Sequence, residues 1–228
     1  MAPKRVVFHF RKGAWARLGP KARGKGLLFV LSAPSGVGKS TLAKKILTRD
    51  PRFWHSVSCT TRAPRSGDKN GRDYRFASRQ EFSRAAGKGS FLETAEVHGA
   101  LYGTPRDAVE AALGKGRHVL LTIDVRGGAN IAKAYPGQTV RVFLLPPDTR
   151  TWIARLRRRR EPDWARRVAN ARKELGHLSQ YDYAIVNDNL GAAVKDFFSI
   201  ARAEELRRVP LGMRPNGGVR PMTGGKRR

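Results

Sequence analysis

Between residues 27 and 207, five short β-prone runs alternate with helical patterns, and this rhythm constrains the fold more than any other feature of the chain. The runs cover residues 27–32, 53–58, 118–123, 139–145 and 183–186, and the helical patterns cover 40–48, 128–134, 149–159, 164–175 and 190–207. Strands separated by helices are expected to pair in parallel, because each return to the same edge needs a crossover. The expected class is therefore α/β, three layers deep, with a parallel central sheet. A chain of 228 residues with 40% apolar content can bury one such core. The interval from Thr60 to Gly103 breaks the rhythm, with short alternating pieces at 73–76 and 91–97 around one helix that Ser78 and Glu81 announce in capping-box spacing. A small β-rich insert is expected there, above the sheet. A further helix is expected to open at Thr104-Pro105, with the threonine as cap and the proline at the first helical position.

The strongest chemical signal is Ala33-Pro34-Ser35-Gly36-Val37-Gly38-Lys39-Ser40-Thr41, placed directly after the first strand and opening a helix. It matches the phosphate-binding P-loop pattern, with Ala33 in place of the first glycine. Glycines let backbone N–H groups curl around a β-phosphate at the positive end of a helix; Lys39 is placed to reach β/γ oxygens, and Ser40 to offer its hydroxyl to Mg²⁺. Ser35 to Thr41 are thus the expected ATP-binding residues. A merely Gly-rich turn would not bring strand, loop, Lys-Ser and helix together. The acceptor of the phosphoryl group has to be sought elsewhere. Arg62 and Arg65, three apart around Pro64, have a spacing that can converge two guanidinium forks on one phosphate.

Around them the sequence becomes specific. The stretches SAPSGVGKST, SVSCTTRAPRSGDKNGRDYRF, FLETAEVHGALYGTP, TIDVRGG, LRRRR and YDYAIVNDN resemble guanylate kinases over residues 27–207. The resemblance implies a P-loop nucleoside monophosphate kinase fold whose small insert, about 60–103, binds GMP and whose helical lid, about 149–176, closes over the phosphates. It implies that Ser58, Arg62, Arg65, Tyr74, Glu93, Tyr102, Thr104 and Asp124 form the GMP site, and that Arg155, Arg159 and Arg167 reach the phosphates. The expected reaction is transfer from ATP to GMP or dGMP with Mg²⁺. Guanine presents adjacent donors at N1 and N2, which a carboxylate such as Glu93 can accept together, whereas adenine presents an acceptor at N1. Asp124 is suited to a remaining base donor, Ser58 to O6, and Arg62, Arg65, Tyr74 and Tyr102 to the phosphate. No general base is expected, since the nucleophile is a phosphate oxygen already largely ionised at neutral pH. Two departures stand out: the family pattern DIDxQG reads Thr122-Ile123-Asp124-Val125-Arg126-Gly127, and Arg158 and Arg160 replace the usual lid glycines.

Charge adds a second theme. The net charge is +28, and positions 1–25 and 207–228 hold eight and seven basic residues with no acid, so the two ends carry 15 of the 28 charges. They read as basic arms, 1–25 and 208–228, flanking a kinase domain at 26–207, and suited to polyanions such as RNA without displacing kinase activity. Scaffold relatives of the family lack an intact P-loop, and Gly38-Lys39-Ser40 is intact here. A kinase for another acceptor would not require Glu93 and Ser58 together. The basic first 25 residues contain no Ser or Thr, which argues against a transit peptide. A single cysteine, Cys59, fits a reducing compartment, so the cytoplasm is expected. No apolar run approaches the roughly 20 residues that cross a bilayer, and no membrane association is expected.

Overall fold

The computed structural model describes residues 26–65, 67–97, 99–157, 168 and 173–207. Both basic arms and most of the helical pattern expected at 164–175 lie outside the described residues. Within them the central sheet forms first in the logic of burial. Strand β1 (Leu28–Ser32) is buried along its whole length, as a strand must be when helices cover both faces. It sits in the middle of five strands in the order β2-β7-β1-β8-β9, where β2 is Phe53–His55, β7 His118–Leu121, β8 Thr139–Leu145 and β9 Tyr183–Val186. All four pairings are parallel. The α/β class and the parallel sheet are as the sequence predicts.

The two faces bury separate clusters. On one, Phe29, Leu31, Val142 and Leu144 meet α1 (Lys39–Arg49), α5 (Thr149–Arg157) and α6 (Leu190–Arg207) through Leu42, Ile46, Trp152, Leu156, Val194 and Phe197. On the other, Leu28, Val30, Val119 and Leu121 meet α3 (Arg106–Gly114) and α4 (Val125–Ala134) through Val109, Leu113 and Ile131. Alternation along β1 divides its residues between the faces. Phe29, Phe53 and Phe197 pack ring to ring at 5.3 to 5.5 Å, joining α6 to the sheet. Beside them His118 Nδ1 accepts from the Leu27 N–H at 3.1 Å, so its Nε2 carries the proton and donates to Glu205 Oε1, also at 3.1 Å. Burial lowers the His118 pKa, which keeps the ring neutral.

A second sheet of four strands, in the order β4-β3-β6-β5, covers the insert region: β3 is Cys59–Thr60, β4 Arg75–Phe76, β5 Phe91–Val97 and β6 Ala100–Pro105. Helix α2 (Arg79–Gly87) carries the expected capping box in full, with Ser78 and Glu81 satisfying each other's amides.

Several boundaries differ from expectation. The run at 53–58 leaves the central sheet after His55, because Cys59 and Thr60 pair with the small sheet instead. Strand β7 stops at Leu121, two residues short of the expected end. Helix α4 begins at Val125 rather than 128, since the Asp124 carboxylate caps it by accepting from the Gly127 N–H at 2.9 Å. Thr104 is not a helix cap. It lies in β6 opposite Glu93, and Pro105 takes the cap position of α3, because the Thr104 hydroxyl is claimed by the Glu93 carboxylate.

Candidate active site

The carboxyl ends of the parallel strands gather the site, as in open α/β sheets generally. After β1 the chain turns through Gly36 and Gly38, with φ of +85° and +104°, into α1. Neither position tolerates a side chain. A Cβ on Gly36 would come within 2.7 Å of Leu156 Cδ2, and one on Gly38 within 2.6 Å of Asn187 Nδ2. Gly38 is the N-cap of α1 and supplies no side-chain cap, so the first turn, Lys39 to Thr41, keeps the unpaired amides and positive dipole end that favour an anion. Ser40 and Thr41 are exposed there. Two loop carbonyls are held from outside: Trp152 Nε1 donates to Ser35 O at 2.8 Å, and Asn187 Nδ2 donates to Val37 O at 2.7 Å.

Lys39 Nζ donates to the Ile123 carbonyl at 3.3 Å, just past the end of β7. Burial pulls its pKa down, and the carboxylates of Glu174 and Asp124 pull it back up. Glu174 in turn is pushed up by burial and lowered by Lys39. Thr122, where the family has an acid, is engaged by His55 Nε2 across the β2–β7 pair at 3.2 Å.

Facing this end of the sheet, Glu93 on β5 is buried. Thr104 Oγ1 donates to its Oε1 at 2.6 Å, while Oε2 is buried with no hydrogen-bond partner among the described residues. Burial, aided by the nearby Asp124 charge and opposed by the Thr104 bond, pushes the Glu93 pKa up to about 7. Gly127 lets this carboxylate approach α4, since a Cβ there would sit 2.8 Å from Oε2. Asp124, the cap of α4, thus lies between Lys39 and Glu93 and influences both.

A third group forms on the small sheet. The Arg62 guanidinium lies 5.1 Å from the Tyr74 ring centre and 5.7 Å from that of Phe76, and the Tyr74 and Tyr102 rings meet edge to face at 5.9 Å. Arg62 also bonds Asp68 Oδ2 at 2.7 Å. The Arg65 backbone N–H and the Arg62 guanidinium hold the Asp68 carboxyl below its ordinary range. Ser58 stands at the start of β3, its carbonyl accepting from the Arg75 N–H.

The structure thus brings Lys39, Asp124, Glu93 and Thr104 together at one end of the sheet, and Arg62, Tyr74 and Tyr102 into a cluster beside Arg65 and Ser58. Arg155 on α5 donates to the Asn187 carbonyl at 3.0 Å. Arg159 and Arg167 lie outside the described residues, as do Arg158 and Arg160. Sequence reasoning missed Trp152, Asn187, Glu174 and Asp68. Asn187 and Asp68 fall inside stretches that carry the family resemblance, a signal that was available; Trp152 had none beyond its place on an apolar helix face.

A strand–P-loop–helix unit is suited to holding nucleotide phosphates, and sequence comparison names the family. The family model for guanylate kinase matches residues 25–204. The chain belongs to the guanylate kinase family. Among curated relatives, the guanylate kinase of Rhizobium meliloti strain 1021 is 46% identical over 187 residues, covering 81% of this chain and 85% of that protein. That of Maricaulis maris strain MCS10 is 42% identical over 192 residues, covering 83% and 88%. The crystal structure of guanylate kinase from Anaplasma phagocytophilum superposes with a TM-score of 0.68 at 37% identity, covering 80% of this chain and 88% of that one.

Proposed function

We propose that this chain carries out the guanylate kinase reaction, transferring the γ-phosphoryl group of ATP to GMP or dGMP to give ADP and GDP, with the residues gathered at the sheet's carboxyl end. The observation that carries the assignment of the acceptor site is Glu93. Thr104 fixes one of its oxygens and leaves the other, buried and unpaired, for a donor from the ligand. Guanine N1–H and its N2 amino group supply such donors; adenine would place an N1 lone pair against the carboxylate. A mismatch of this kind discriminates by about 10⁴. Asp124 takes a remaining base donor and Ser58 the O6 atom.

The GMP phosphate is read by Arg62, Arg65, Tyr74 and Tyr102. Arg62 is preset for this by its stacking on Tyr74 and its bond to Asp68, so little side-chain entropy is left to lose on binding. The ATP phosphates lie on the amides from Ser35 to Thr41, with Lys39 neutralising the transferring group. Burial of the Lys39 ammonium raises the worth of its charge. A divalent cation would find an exposed hydroxyl at Ser40 in the first turn of α1, next to Lys39, on whose ammonium the Asp124 and Glu174 carboxylates act. Ser40 would hold Mg²⁺, which would supply charge neutralisation at the phosphates. Arg155, Arg159 and Arg167 supply further positive charge from the lid, 149–176, and the small sheet at 60–103 acts as the GMP-binding insert. No base is required of the protein, because the attacking oxygen of GMP is ionised near pH 7.

Two accessory readings belong with this one. The basic arms, 1–25 and 208–228, are proposed to contact RNA or another polyanion, on the strength of their 14 charges. The cytoplasm is the proposed compartment, supported by the single Cys59. Among the described residues no helix is long and apolar enough to cross a membrane. The deciding experiment measures ADP release with GMP, dGMP, AMP, CMP and UMP as acceptors. GMP and dGMP should be used at least about a hundredfold better than AMP in kcat/KM, and equal rates with AMP would remove Glu93 from its role.

A further inference from the structure

We infer that Trp152 is a positioning residue for the ATP-binding loop, acting through its indole N–H on the Ser35 carbonyl. In a trans peptide the C=O of one residue and the N–H of the next point in opposite directions. Holding Ser35 O at 2.8 Å on one side therefore fixes the Gly36 N–H toward the other. Asn187 does the same further along the loop, where its bond to Val37 O sets the Gly38 N–H. The two glycines make these peptides free to rotate in the unbraced chain, so the loop's amides depend on outside donors for their direction.

The brace is rigid. Trp152 is 4% and Leu156 3% exposed, and Leu156 fills the space above Gly36. The start of α5 is anchored by Asp148, which accepts from the Thr151 N–H and hydroxyl at 2.7 and 2.6 Å. Arg155, one turn after Trp152, bonds the backbone of Asn187, so the two braces are joined to each other. Amides held in advance lose less freedom when phosphate arrives, and the gain falls on ATP alone.

Trp152→Phe keeps the ring and removes the donor. It should raise the KM for ATP, and weaken ADP binding by calorimetry, about fivefold to tenfold, the equivalent of one lost hydrogen bond. The KM for GMP and kcat should stay within about twofold. Phe29→Leu, in the core away from the loop, should lower Tm without that split. In the unmodified protein labelled with ¹⁵N-tryptophan, the Trp152 indole N–H should be protected from exchange, and its resonance should move with ADP and not with GMP. The proposal is overturned by an ATP KM unchanged in Trp152→Phe, by ATP and GMP KM rising together, or by an indole N–H that exchanges at the solvent rate.

Discussion

Glu93 is the residue whose chemistry is most exposed to test. Its pKa of about 7 means that near neutrality a good part of the ligand-free protein holds a proton there. Guanine's donors favour the ionised carboxylate, so GMP binding should release protons, and the KM for GMP should fall as pH rises from about 6 to about 8. Calorimetry in two buffers of different ionisation enthalpy measures this release, and the difference from Glu93→Gln separates it from the titration of GMP's own phosphate. The same shift acts on stability. The folded state keeps a proton that the unfolded chain loses above its ordinary value of 4.5, so this group's contribution is lost as pH rises from about 4.5 to about 7. Glu93→Gln should also raise the KM for GMP by tenfold or more, in the range of about 1 to 3 kcal/mol for an altered buried polar contact, with ATP binding nearly intact. Lys39→Ala should lower kcat by orders of magnitude while circular dichroism and Tm stay near native, because it removes charge from the transferring phosphoryl and a charge from a buried place. Near-native turnover in that variant would return the scaffold reading. Lys39 and Glu93 were legible because each sits in a local motif. Trp152 and Asn187 were not, since their partners Ser35 and Val37 are 117 and 150 residues away and only the fold brings them together.

Among the elements, α2 shows local rules fully in command. Its capping box follows from four consecutive residues, and Ser78→Ala should cost about 1 kcal/mol in chemical denaturation. The Thr104-Pro105 step shows the opposite. The pair reads as a helix start, yet Thr104 is drawn into β6 by its cross-strand partner Glu93, a contact that capping rules, which look only at the first turn, do not include. Strand β6 itself went unforeseen because its sequence, Ala100 to Pro105, has little apolar alternation to read. At the end of β7, Thr122 is held by His55, whose ring burial keeps neutral by lowering its pKa. Thr122→Asp should restore a carboxylate beside the P-loop and shift the Mg²⁺ dependence of turnover to lower concentration. A superimposable Mg²⁺ titration would make that position irrelevant to the metal.

For the whole molecule, the parallel sheet and its layers followed from the alternation of periods, because strands separated by helices need crossovers that return them to the same edge, whereas the strand order came only from the fold. Chain 26–207 should hold the entire chemistry: its kcat/KM for GMP is expected within about threefold of the full chain, under roughly 1 kcal/mol. RNA binding by the full chain should weaken steeply with salt, and the shortened chain should bind more weakly with a shallower slope. Equal slopes would separate the arms from polyanion binding. The imidazole of His118 spans from the amide of Leu27 to the carboxylate of Glu205, so the first strand's beginning and the last helix's end lie a single ring apart. Such closeness makes the domain a near-closed loop of chain. A circular permutant that joins residue 207 to residue 26 by a short flexible linker, and is cut instead at the exposed turn between Lys115 and Gly116, should therefore still fold and turn over GMP, with new ends that can carry fused reporters.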